Sequence, residues 1–158
     1  MAGLIIVLTG YISSAQSKNV IRKVQAFYVV RMPGNIPSVP SLIRIDTVLT
    51  IYLETTSKVI TWDTAFKKNH AFLIRAAIIE KTAFEAGRVK KTGEKIIIKP
   101  QKGLFLWQLW LEPIEPGLPI PGIQKVMGDA ILLQGKYKGK KLVLTVDKAV
   151  ELAAIPAV

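Results

Sequence analysis

The sequence predicts a mainly β protein, an antiparallel sandwich or barrel of about 6–8 strands with one or two short helices. Three observations predict it. Residues 41–55 alternate in period two, the short apolar runs elsewhere are rich in β-branched and aromatic residues, and Gly, Pro or charged turns separate them. At 158 residues the chain fits one domain, 1–158, that buries a core without a covalent staple.

Residues 1–12 are apolar and Ser13-Ser14-Ala15 follows, which resembles a signal peptide only superficially, because no Lys or Arg precedes the apolar run. Leu4 to Leu8 reads instead as a buried strand. The run is too short for a transmembrane helix, which needs about 20 apolar residues. Val20, Ile21, Val24, Phe27 and Tyr28 follow helical spacing while their β-branched content favours a strand, so 20–30 stays open between the two. In 41–55, Ile43, Ile45, Leu49, Ile51 and Leu53 face one way and Arg44, Asp46, Thr50, Tyr52 and Glu54 the other. Residues 58–65, 94–99, 104–112, 130–134 and 141–146 are further strands.

Residues 69–86 are read as a helix: Asn69 is an N-cap, five alanines favour it and Gly87 stops it, although Phe72, Ile74, Ala76 and Ile78 also alternate. The fold becomes α+β if 69–86 is helical. A last short helix is expected over 147–154, opened by Asp147. Two proline-rich arms, 33–40 and 113–122, interleave proline with apolar residues and are stiff rather than flexible. Their Ile36, Val39, Leu118 and Ile120 are candidate interface residues, as is Trp110, which a strand over 104–112 places with Gln108 and Glu112 on the face opposite Phe105, Trp107, Leu109 and Leu111.

The chemistry that is missing narrows the function. Cysteine is absent, which removes disulfides, thiolate catalysis and Cys-ligated metals. The one histidine, His70, has no acidic or serine partner nearby in sequence and reads as an ordinary polar residue at a helix start. The acids are scattered and read as surface charge. Residues 128–136 are not a phosphate loop, since six residues rather than four separate Gly128 from Gly135 and Tyr137 stands where Ser or Thr is needed. Neither a catalytic site, a metal site nor a cofactor is expected.

Charge and hydropathy point to binding. The formal charge is +11, and Arg88, Lys90, Lys91, Lys95, Lys99 and Lys102 against Glu94, with Lys136, Lys138, Lys140 and Lys141, supply nine of those eleven. Such clustering suits a polyanion, nucleic acid first and an anionic membrane surface second. Lys136 to Lys141 lies between two apolar runs and reads as a hairpin tip turned by Gly139, with Tyr137 offering an aromatic face for a base. The two basic stretches could form one anion-binding surface. Apolar residues make up half the chain and the mean hydropathy is +0.34, more than one small core hides, so self-association is expected. The leading expectation is a non-enzymatic, self-assembling structural subunit with a basic face on nucleic acid, such as a nucleocapsid or virion protein, cytoplasmic or virion-associated rather than secreted. The alternatives are a small basic nucleic-acid-binding module and an exported pilus or surface-filament subunit.

Overall fold

Alternation of side chains across an extended backbone sets the architecture. In the computed structural model, which describes residues 19–31, 46–68, 70–114 and 128–154, ten strands form. They are β1 (Ile21–Arg31), β2 (Asp46–Thr55), β3 (Thr61–Lys67), β4 (His70–Ile79), β5 (Phe84–Arg88), β6 (Lys95–Ile98), β7 (Phe105–Pro113), β8 (Ile131–Tyr137), β9 (Lys140–Val146) and β10 (Val150–Leu152). Eight make one sheet in the order β10-β1-β2-β7-β4-β3-β8-β9, and β5 and β6 make a second, smaller one. Every ladder is antiparallel except β1 with β10.

The large sheet curls into a half-barrel, and its connectivity shows why. Its two outermost strands, β9 and β10, are consecutive in the chain and joined by Asp147, Lys148 and Ala149 alone. Val146 and Val150 are therefore at most ~15 Å apart. Eight strands laid flat would separate the edges by roughly 34 Å. The link forces the edges toward each other.

Curling makes one face an interior. Leu49, Ile51 and Leu53 of β2 lie opposite Leu111, Leu109 and Trp107 of β7, and together with Ile131, Leu133, Leu142 and Leu144 from β8 and β9 they form the main core. The outer face carries two smaller clusters. The β5–β6 hairpin covers Phe27, Tyr52, Leu106 and Leu152 on β1, β2, β7 and β10, and Phe66, Ala71 and Leu132 form the other on β3, β4 and β8. Gly87 lets the hairpin settle: its φ is 151°, and a Cβ there would come within 2.8 Å of Leu152 Cδ1. The dock is completed by the amide of Lys90, which donates to the Glu151 carbonyl at 3.0 Å, and that of Ala153, which donates to the Arg88 carbonyl at 2.8 Å.

Several expectations change. The segment read as a helix over 69–86 is β4 followed by β5, with Asn69 outside the described residues. Pairing of β4 with β7 on one side and β3 on the other overrides the alanine content. The helix expected over 147–154 is a three-residue link and β10. The segment left open over 20–30 is strand from Ile21 onward, since β2 supplies an antiparallel partner from Ile21 to Arg31. His70 consequently opens a strand, opposite Lys67, and is exposed. Glu54, expected in solvent, is 5% exposed on the outer face opposite Leu106. The strand expected at Leu4 to Leu8 and the arm over 33–40 lie outside the described residues, as does the second arm beyond Ile114.

Candidate nucleic-acid interface

The tip of β8 and β9 is a two-residue turn. Tyr137 pairs with Lys140, leaving Lys138 and Gly139 as the loop with φ of 50° and 73°. Positive φ at both central positions is the twist that fits a tight hairpin, which glycine adopts freely and lysine at some cost. Lys136 stands directly across the ladder from Lys141, and both are exposed. Side chains so placed have Cβ atoms about 5 Å apart, where like charges destabilise the pair. Among the described residues no carboxylate forms an ion pair with Lys136, Lys138, Lys140 or Lys141.

Tyr137 does not offer the expected stacking face. It continues the inward row of Ile131, Leu133 and Gly135, and its half-buried ring packs on the main core. The Lys138 ammonium lies 5.4 Å from its ring centroid. The hydroxyl end of a tyrosine commonly reaches water while the ring packs, so the residue serves the tip as a foot rather than a platform.

The other basic stretch is differently built. Arg88 and Lys95 both approach Glu85, at 3.6 and 3.9 Å, and Lys90 donates to Glu151 Oε1 at 2.8 Å. The hydrogen bond and the charge of Glu151 raise the Lys90 pKa above its ordinary value. Tyr28 approaches the other oxygen of Glu151 at 3.4 Å, and burial followed by the Glu151 charge raises its pKa. Lys91 and Lys148 join these residues around one groove, while Lys99 and Lys102 are exposed beyond β6. β5 and β6, which carry this stretch, pack on β1, β2, β7 and β10, whereas the other stretch is the turn between β8 and β9.

Trp110 lies on the outer face, as expected, with Gln108 and Glu112 on the same side; it is 36% exposed. Sequence reasoning missed its neighbours. Leu73, 52% exposed, lies opposite Glu112, and Arg75 lies opposite Trp110 and bonds Glu112 at 2.6 Å. Counting in twos through 69–86, rather than in helical turns, would have found Leu73 and Arg75. The candidate interface residues Ile36, Val39, Leu118 and Ile120 lie outside the described residues.

No group of three or more His, Asp or Glu able to hold a metal occurs among the described residues, and none of their helices is long and apolar enough to cross a membrane. Compared with known proteins, the chain matches no family model, no curated protein and no solved structure.

Proposed function

We propose that the chain is a non-enzymatic, self-assembling structural subunit that presents a basic tip to nucleic acid, the arrangement of a nucleocapsid or virion protein. The observation that carries this reading is the sorting of exposed groups on one sheet. Ammonium groups with no ion-pair partner among the described residues gather at the β8–β9 turn, whereas the middle of β4 and β7 exposes Leu73 and Trp110 beside the mutually paired Arg75 and Glu112.

Two copies of a chain carrying +11 repel one another wherever they approach through lysines. A locally neutral, partly apolar strip is the surface on which that repulsion is least. Phosphates at the tip would relieve the opposition of Lys136 and Lys141 and release counterions, so nucleic acid would favour assembly further. No catalytic step belongs to this proposal.

Size-exclusion chromatography with light scattering on nucleic-acid-free material tests it. Assemblies well above the 17.4 kDa chain are expected, and Trp110→Ala with Leu73→Ser should dissociate them. A monomer at every concentration rejects self-assembly; if that monomer still binds DNA or RNA, the chain is a small basic binding module instead.

A further inference from the structure

The only aromatic residue at the β8–β9 turn is spent on the core. Tyr137 faces inward over Gly135 and Leu133, and the Lys138 ammonium lies toward its ring. Packing and the Lys138 contact thus compete with base stacking for the one aromatic ring of the turn. Reading of base edges needs forked or amide groups, chiefly Arg, Asn and Gln, and the turn from Lys136 to Lys141 holds none of these. Gln134, the nearest amide along β8, is half-buried opposite Val143.

What the turn does offer is four compact point charges on flexible stems. Lys136 and Lys141 are side by side on the outer face, Lys140 is across from Tyr137, and Lys138 is at the apex. Ammonium groups of this kind bind phosphate as charges and without regard to what the phosphate is esterified to.

We infer that the β8–β9 tip recognises the repeating phosphates of a linear chain and reads no bases, so that a nucleic-acid backbone and inorganic polyphosphate are equivalent ligands for it. The inference rests on the anion contact in the proposed function and narrows its chemistry.

Competition fluorescence anisotropy on the full chain tests it. A labelled mixed-sequence single-stranded oligonucleotide is displaced by oligo-dT, oligo-dA or inorganic polyphosphate at equal concentrations of phosphate charge. All three are expected to compete alike. The variant Lys136→Gln/Lys141→Gln, checked for its fold by circular dichroism, should weaken binding of every ligand and lower the slope of log affinity against log salt by about 1.4. One stacked base would favour an oligonucleotide by about fivefold or more. A preference of that size over polyphosphate, or a difference of that size between the homopolymers, overturns the inference while the nucleic-acid contact stands. Binding that the double variant leaves unchanged places the anion elsewhere and overturns it too. If no polyanion binds even at low salt, the basic contact in the proposed function fails along with it.

Discussion

Trp107 donates its indole N–H to the Thr55 hydroxyl at 2.9 Å, joining β7 to β2 inside the core, and Thr55 in turn donates to the Ser57 carbonyl at 2.7 Å. Trp62 packs edge-on against the same indole with ring centroids 6.5 Å apart, yet its own buried Nε1–H has no acceptor among the described residues. Two tryptophans of nearly equal burial, 6% and 8% exposed, thus differ in hydrogen bonding alone among their polar contacts.

Replacement by phenylalanine separates the two. Each change removes similar volume, but Trp107→Phe also deletes a buried hydrogen bond, whereas Trp62→Phe deletes an unsatisfied donor. Urea unfolding should show Trp107→Phe to be the more destabilising by about 1–3 kcal/mol. Equal losses would mean that the Trp107 bond to Thr55 contributes nothing net.

How much was legible in the sequence follows from which signals are local. The alternation through Leu49, Ile51 and Leu53 fixes a face whatever the strand pairs with, and β2 carries those residues in the core. The Lys-Gly turn at 138–139 announces itself in the same way. The alanines of 69–86 misled because a propensity of a few tenths of a kcal/mol per residue is small beside the ladders that β4 makes with β3 and β7, which no local signal reports. Pairing of Lys90 with Glu151, 61 residues away, is likewise invisible before folding. Tyr137 was different: its inward direction follows from counting in twos from Leu133, and only its neighbouring lysines suggested otherwise.

The hairpin turn carries a second measurable cost. Lys138 holds φ near 50°, a conformation that costs most L-residues about 1–2 kcal/mol and that asparagine enters more readily. Lys138→Asn also thins the crowd of ammonium groups. It should raise stability by roughly 0.5–1 kcal/mol, or about 1–4 °C in Tm, while reducing the salt slope of anion binding. A loss of stability would mean that the Lys138 contact with the Tyr137 ring outweighs the backbone strain.

Alkaline pH should destabilise the protein through Tyr52 and Tyr28. Burial against Phe27 and Phe84 raises the Tyr52 pKa above its ordinary value of 10.0. The unfolded chain therefore releases this proton first as pH rises, and it binds fewer protons than the folded state. Stability is accordingly complete below about pH 10 and is lost as pH climbs through the raised folded value. Tyr28 and Lys90 are raised as well, and their contributions have the same sign. Tyr52→Phe removes the most buried phenol among the described residues from that balance, leaving a residue that cannot ionise among the same aromatic neighbours. Urea midpoints measured at pH 7 and pH 11 should fall further for the wild type than for Tyr52→Phe. An identical fall in both would show that the Tyr52 hydroxyl reaches water in the folded state and titrates as it does in the unfolded chain.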